Sequence, residues 1–243
     1  DLVLVAHRRA VDRRALDQLA TALTDPAHPV ALPEPVADAS LQGGPPDLPW
    51  GLGTPARAGR TGTVVLTATA VAGDAAPAVL VAAAAVVLAR YGQTERAEFT
   101  LITGGPSAAD RQRSLALPVG DATRVTDLLD ASAHAGATGG EPSSGMPAVG
   151  VLLTEGRTGE VYRPVLAPVF PVTLACQHDA DGVLSGALYY DEGVLDPEIA
   201  GQFAGHIGRL VAALAQAPVD ARVGDIELVD TGEAAATRRS MCP

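Results

Sequence analysis

Residues 170 to 191 run Phe170-Pro-Val-Thr-Leu-Ala-Cys-Gln-His-Asp-Ala-Asp-Gly-Val-Leu-Ser-Gly-Ala-Leu-Tyr-Tyr-Asp191. Two segments rich in β-branched, aromatic and other apolar residues, 170–177 and 183–191, flank the polar turn Asp179-Ala-Asp-Gly182. Apolar segments separated by Asp and Gly are typical of a β-hairpin, because these residues accept the backbone angles of a tight turn. The stretch therefore predicts two neighbouring antiparallel strands.

A helix is predicted directly after this hairpin. Asp196 is suited to cap its first turn, and Pro197 is tolerated at the first helical position. Apolar side chains then recur at helical spacing: Ile199, Phe203, Ile207, Leu210, Val211 and Leu214. An earlier helix is predicted from Asp74, acting as its cap, to Tyr91. Its apolar residues surround the axis, which predicts a central helix buried on all sides.

Predicted strands and helices alternate through the rest of the chain. Strands are expected at 2–6, 63–72, 98–103, 114–119 and 147–154, and helices at 12–23 and 123–133. Residues 25–62 and 136–147 are rich in Pro, Gly and Ser, which predicts connecting segments. We expect an α/β protein with a mixed sheet and a central buried helix.

Composition and charge exclude several classes of function. The 243 residues carry a formal net charge of -11, so a nucleic acid would be repelled and no such partner is expected. The most apolar stretch, 75–89, is too short for a membrane span, and no membrane partner is expected. The two cysteines, Cys176 and Cys242, are far apart and have no Cys or His cluster beside them. We therefore predict no metal and no directly bound cofactor.

The order of these segments resembles the condensation domains of nonribosomal peptide synthetases, which are relatives of chloramphenicol acetyltransferase. The segments that carry the resemblance are the central helix ending in Ala89-Arg-Tyr91, Phe170-Pro-Val-Thr-Leu174, Leu184-Ser-Gly-Ala-Leu-Tyr-Tyr-Asp191 with Leu195-Asp-Pro197, the last helix from Gly205-His206-Ile207 to Leu214, and Ile226-Glu-Leu-Val229. The resemblance covers nearly the whole chain but only the later part of the family domain. It implies a fold of the chloramphenicol acetyltransferase type with an incomplete N-terminal lobe.

The resemblance also divides the chain into four parts. Residues 1–24 are similar to a remnant of the N-terminal lobe, 25–62 form a linker rich in Pro and Gly, 63–230 form a C-terminal condensation-like lobe, and 231–243 form a second linker. No Met or signal peptide precedes Asp1. We expect a truncated piece of a longer polypeptide.

The family signature, His-His-x-x-x-Asp-Gly between a strand and a helix, is only partly matched. The corresponding residues are His7, Arg8, Asp12 and Arg13. The resemblance implies that the second His of the signature positions or deprotonates the attacking amine, and Arg8 stands in its place. A guanidinium stays protonated and has no lone pair that accepts a proton. The resemblance therefore predicts a degenerate site that has lost its catalytic base.

The other signature residues do not replace that base. Adjacent strand residues point to opposite faces, so His7 is expected to face away from the side to which the second residue of the signature points, and to be structural. Asp12 is expected to cap the following helix. Arg13 is expected to alter a turn that Gly would accept more easily.

Three functions are compatible with the sequence. The first is a non-catalytic, cytoplasmic platform for an adjacent adenylation domain or a carrier protein, with an exposed edge covered by a neighbouring domain or by a second copy. The second is an active condensation or acyltransferase domain that forms an amide between carrier-bound substrates, in which case the phosphopantetheine arm of a partner carrier protein would enter the site. The third is a generic α/β domain.

Overall fold

The computed structural model describes residues 13–25, 48, 60–71, 73–105, 108–135, 148–156, 170–179, 181 and 183–228. The predicted strand at 2–6 and the predicted loop at 136–147 lie outside these residues. In chain order the elements are α1 (Arg13–Thr24), β1 (Thr61–Ala70), α2 (Ala76–Gly92), β2 (Arg96–Gly105), β3 (Ala108–Pro118), α3 (Val125–His134), β4 (Val149–Glu155), β5 (Val172–His178), β6 (Val183–Asp191) and α4 (Pro197–Ala215). Short 3-10 turns lie at Gly73–Ala75 and Val223–Asp225.

A mixed sheet runs through the centre of the fold in the order β1-β6-β5-β4-β2-β3. Strands β2, β4 and β5 run parallel to one another, whereas β6 is antiparallel to both β1 and β5, and β3 is antiparallel to β2. The predicted hairpin of β5 and β6 is confirmed. The Asp179 carboxylate stabilises its turn by accepting hydrogen bonds from the backbone N–H groups of Asp181 (3.0 Å) and Val183 (2.8 Å).

The two faces of the sheet are buried in different ways. One side, here called the helical face, carries Phe99, Val151 and Leu174, which join the main hydrophobic core with α2, α3 and α4. The other side, here called the opposite face, carries a smaller buried cluster of Ile102, Leu152, Phe170 and Ala175. Side chains alternate between these faces along each strand, as the pleat requires.

Helix α2 is the centre of the main core, as predicted. Every residue from Val79 to Ala89 is buried, and the helix packs against α3, α4 and the strands β2 and β4. The four consecutive alanines at 82–85 keep the helix narrow, because the separation of packed helices depends on the side chains at the contact. A narrow helix can be enclosed on all sides by a sheet and two other helices.

The predicted cap of α2 is wrong. Asp74 lies inside the 3-10 turn, and the capping position belongs to Ala75, whose side chain makes no capping hydrogen bond. A side chain caps a helix from a non-helical residue just before the first turn. The 3-10 turn extends the helical path past Asp74, so the carboxylate no longer stands at that position.

The predicted start of α4 is confirmed. The Asp196 side chain accepts a hydrogen bond of 2.8 Å from the backbone N–H of Glu198, and Pro197 begins the helix. The predicted apolar stripe faces the core, where Phe203, Ile207 and Leu210 are fully enclosed.

One polar pair connects α2 to α4 inside this apolar contact. The Tyr91 hydroxyl and the His206 Nδ1 atom are 2.9 Å apart, and His206 is buried. The Tyr91 ring also packs edge-on against Phe203 at a centroid distance of 5.4 Å. The hydrogen bond gives the buried His206 ring a polar partner and sets the position of one helix along the other.

The segment after α4 folds back onto the ends of α2 and α3. The Arg90 guanidinium donates a hydrogen bond of 2.7 Å to the Val223 carbonyl. Backbone hydrogen bonds of 2.9 Å join the Val125 N–H to the Ala221 carbonyl and the Val223 N–H to the Thr123 carbonyl. Burial lowers the pKa of Arg90, and the nearby Asp121 carboxylate opposes this shift. The end of the described chain is therefore fixed to the fold.

Strand β3 is longer than the sequence predicts. It begins at Ala108, whereas the expected strand began at Ser114, because Asp110, Arg111 and Arg113 interrupt the apolar pattern. An outer strand accepts such residues, since charged side chains at an edge can reach solvent. Strand β1 likewise begins at Thr61 rather than at Thr63.

Gly186 provides a test of how tightly β5 and β6 are packed. A Cβ atom there would collide with the backbone of Ala175 and Cys176, which cannot move independently of the sheet. We expect Gly186→Ala to destabilise the fold by about 2 kcal/mol or more, measured by urea unfolding. The matched control is Gly201→Ala on the exposed side of α4, where a Cβ meets nothing within 4 Å, and stability should rise by up to about 1 kcal/mol. Equal effects of the two substitutions would contradict this packing.

Candidate functional site

The predicted signature contributes only one residue to the described structure. His7, Arg8 and Asp12 lie outside the described residues, so their roles stay predictions. Arg13 is the first residue of α1. The chain that carries the signature therefore joins the described fold through this helix.

The other described histidines do not come together. His134 ends α3, and its Nδ1 atom is 2.7 Å from the Asp130 carbonyl. His178 ends β5, and His206 is occupied between α2 and α4. Within the described residues, no group of three His, Cys, Asp or Glu side chains could hold a metal ion.

A row of polar residues crosses the opposite face near the carboxyl ends of the parallel strands. Thr154 of β4 is aligned with Gln177 of β5 on one side and with Gly104 of β2 on the other. Gln177 is aligned in turn with Ser185 of β6, and the Asp110 carboxylate lies over Gly104. We call Ser185, Gln177, Thr154, Gly104 and Asp110 the polar row. In open sheets with parallel strands, ligands bind outside this end of the strands.

Two neighbouring residues of the polar row each have a buried oxygen atom without a hydrogen bond. The Thr154 Oγ1 and Gln177 Oε1 atoms are both buried, and neither has a hydrogen-bond partner among the described residues. Thr154 as a whole is only 1% exposed. Buried polar atoms are paired in the great majority of cases, and an unpaired one costs about 1–3 kcal/mol. Two such atoms on adjacent strands make the polar row the candidate binding site of the described structure.

A threonine on the same face shows the ordinary arrangement. Thr173 is also 1% exposed, and its hydroxyl donates to the Phe170 carbonyl and accepts from the Phe170 N–H, each at 3.1 Å. The same residue type, equally buried on the next strand, is thus fully paired. The missing hydrogen bond of Thr154 is therefore not a general property of buried threonines on this face.

Helix α1 lies beside the polar row. It packs against β2 and β3, whose helical faces belong to the core around α2 and α3, so α1 is on the opposite face. The Gln18 Oε1 atom of this helix is also buried, and it has no hydrogen-bond partner within the part of the chain that the structure describes. Sheet and helix together present hydroxyl and amide groups, which donate and accept hydrogen bonds, and one carboxylate, Asp110.

The one described cysteine lies on the helical face and is chemically inert. Burial raises the pKa of the Cys176 thiol to about 12 from its usual value of 9.0. A thiol that stays protonated is neither a nucleophile nor a metal ligand at neutral pH. Among the described helices, none is both long and apolar enough to cross a membrane.

Comparison with solved structures identifies the fold. The X-domain from teicoplanin biosynthesis, solved as a complex with OxyB, matches with a TM-score of 0.56 and 17% identity over 79% of this chain and 53% of its own. The starter condensation domain of rhizomide synthetase RzmA matches with a TM-score of 0.55 and 15% identity over 90% and 55%. The first condensation domain of the calcium-dependent antibiotic synthetase, bound to a substrate analogue, matches with a TM-score of 0.53 and 15% identity over 92% and 55%.

This chain has the condensation-domain fold. The fold class implied by the resemblance is confirmed, and the generic α/β alternative is wrong. At these identities the likeness establishes the fold alone, and the chain spans about half the length of the condensation domains that it matches. No protein-family model matches the sequence, and no curated protein matches it.

The sequence did not point to the polar row of this condensation fold. Thr154 and Gln177 look like ordinary strand residues, and only the register of three parallel strands places them side by side. The available signal was weak: each is a polar residue near the end of an otherwise apolar strand.

Two threonine substitutions test whether the unpaired Thr154 hydroxyl lowers the free energy of unfolding. Thr154→Val removes an unpaired buried hydroxyl, so we expect the free energy of unfolding to rise by about 1 kcal/mol. Thr173→Val is the matched control, and it should lower stability by about 2 kcal/mol because the Phe170 backbone loses its partner. Both are measured by urea unfolding. A clear loss of stability in Thr154→Val would mean that its hydroxyl is bonded in the folded protein.

The buried thiol predicts a pH dependence in the alkaline range. Below about pH 9 the Cys176 thiol is neutral in both the folded and the unfolded chain, so it does not affect stability. Above that pH only the unfolded chain loses the proton, because the pKa in the folded chain is about 12. Between about pH 8 and about pH 10, wild-type protein should lose about 1.4 kcal/mol of stability relative to Cys176→Ala. Parallel pH profiles for the two proteins would show that the thiol reaches solvent in the folded state.

Proposed function

We propose that this chain is a degenerate, non-catalytic condensation-like domain of a nonribosomal peptide synthetase. In this proposal it acts in the cytoplasm as a docking platform for an adjacent adenylation domain, a carrier protein, or both. It binds no cofactor directly. A phosphopantetheine arm would reach it only on a partner carrier protein.

The observation that carries the proposal is the arginine at position 8. Where the condensation signature has the histidine that handles the proton of the attacking amine, this chain has Arg8. A guanidinium stays protonated near neutral pH, so Arg8 is not available as a general base. Its remaining chemistry is hydrogen-bond donation and electrostatic stabilisation, which suit binding.

The X-domain provides support for a docking role. It has the same fold over most of this chain, and it was solved as a complex with another protein, OxyB. A condensation fold is therefore compatible with the binding of a protein partner. For this chain, the partner that the resemblance favours is a neighbouring domain of the same assembly line.

The polar row favours a second candidate function, an active condensation or acyltransferase domain. Thr154 and Gln177 present unpaired buried oxygen atoms at the end of the parallel strands, where a bound amide or thioester would find hydrogen-bonding groups. In this alternative the polar row orients a carrier-bound substrate, and a residue other than Arg8 takes up the proton.

An amide-formation assay distinguishes the two functions. The full chain is mixed with aminoacyl-loaded donor and acceptor carrier proteins, and products are read by intact-protein mass spectrometry. We expect no product above the no-enzyme control, and the same result for Arg8→Ala. Arg8→His replaces the missing base, and product formed by this variant alone would show that only the base was lost.

Two outcomes would overturn the proposed platform. Product formed by the wild-type chain at a rate proportional to its concentration, and lost in Gln177→Leu, would support the active alternative. The second outcome concerns binding, measured by titrating the adjacent adenylation domain and the carrier protein separately against the labelled chain. A carrier protein from an unrelated synthetase is the control. Failure of both natural partners to bind would remove the basis of a docking role.

A further inference from the structure

Within the described residues, strand β1 is paired along only one of its two edges. It is an outer strand of the sheet, and within the described residues its only neighbour is β6. A strand with a free edge presents a row of backbone N–H and C=O groups that another chain can pair with.

The backbone geometry identifies which residues face that free edge. The Glu192 N–H donates a hydrogen bond of 2.9 Å to the Arg60 carbonyl, so Arg60 and Glu192 form a hydrogen-bonded pair of the antiparallel ladder. Such pairs recur at every second residue. Gly62, Val64 and Leu66 therefore bond to β6, and the N–H and C=O groups of Thr61, Thr63 and Val65 point outward.

The side chains of Thr61, Thr63 and Val65 are exposed to solvent as well. Thr61 and Thr63 are exposed, and Val65 is 78% exposed, one of the most exposed large apolar side chains among the described residues. They lie on the opposite face, whereas Val64 and Leu66 pack against the main core. The same three residues thus offer free backbone groups and a free row of β-branched side chains. We call Thr61, Thr63 and Val65 the open edge.

The outer strand at the other side of the sheet is protected, whereas no described element covers the outer edge of β1. Strand β3 carries Asp110, Arg111 and Arg113 and ends at Pro118, and α1 packs against it. Charges, proline and a covering helix are the usual means of blocking edge pairing. Strand β1 contains no charged residue and no proline over its whole length.

We propose that the open edge is a self-association surface, at which β1 of one copy pairs antiparallel with β1 of a second copy. A twofold axis through Thr63 places Thr63 opposite itself and Thr61 opposite the partner's Val65. Each of these pairs joins two β-branched side chains, which favours cross-strand packing. The same three residues supply both halves of the contact, as a twofold interface requires.

The charge distribution limits where a second copy can approach. Two molecules that each carry a net charge of -11 repel one another, so they approach best at an uncharged surface. The open edge is such a surface, and its pairing brings no two like charges together. The contact involves few residues, so we expect a weak dimer that forms at high protein concentration.

Sedimentation velocity of the full chain over a concentration series tests the dimer. Thr63→Lys places two positive charges directly opposite each other on the axis, and we expect it to weaken dimerisation about fivefold or more. Val65→Lys should weaken it as well. Val219→Lys is the matched control, because Val219 is 81% exposed and lies in the segment after α4 rather than in β1. The dimerisation of this variant should equal that of the wild type.

Amide hydrogen exchange gives an independent readout with an internal control. As the concentration rises, the amides of Thr61, Thr63 and Val65 should become protected, while those of Gly62, Val64 and Leu66 are protected throughout by β6. Wild-type protein that sediments as a monomer up to about 1 mM would overturn the proposal. Self-association that Thr63→Lys and Val65→Lys leave unchanged, or exchange without the alternating pattern, would also overturn it. None of these outcomes depends on whether the domain is catalytic.

Discussion

The enclosure of α2 is the constraint on which the rest of the fold depends. The helix contributes an unbroken run of buried residues from Val79 to Ala89, and the sheet, α3 and α4 all pack against it. Small side chains allow these elements to approach from several directions at once, and dense packing then leaves little freedom in their arrangement. The polar contacts at the end of α2, from Tyr91 to His206 and from Arg90 to the Val223 carbonyl, fix the helix and the last described segment relative to each other.

Because the helical face is buried in the main core, the opposite face is the side of the sheet that can carry a binding or catalytic site. Its centre is apolar around Leu152 and Ala175, and its end carries the unpaired oxygen atoms of Thr154 and Gln177. Proteins retain locally unfavourable groups chiefly at functional sites, where stability is given up for binding. The polar row is consistent with either a binding or a catalytic role, because hydroxyl and amide groups orient a substrate as well as they hold a docked segment.

The two outer strands of the sheet differ in how well their edges are protected against pairing with another strand. Charges and α1 protect β3, whereas β1 presents uncharged β-branched residues and free backbone groups. Unprotected edges carry a risk of unwanted pairing, so one is expected to persist where pairing is useful. Self-association at β1 would extend the sheet without using the polar row, so docking and any chemistry at that row would remain available in a dimer.

The sequence by itself determined most of the elements and the fold class. The hairpin of β5 and β6, the Asp196 cap of α4 and the buried character of α2 all follow from local patterns, because turn chemistry, capping and periodicity act over a few residues. Local pattern predicted two features wrongly. Asp74 does not cap α2, because a 3-10 turn extends the helical path past it. Strand β3 begins earlier than predicted, because an edge position accepts charged residues that interrupt the apolar pattern. The signature residues His7, Arg8 and Asp12 lie outside the described structure, and their roles rest on the resemblance. Only the tertiary structure decided the polar row and the open edge, because both depend on strand order and register, which join residues far apart in the chain.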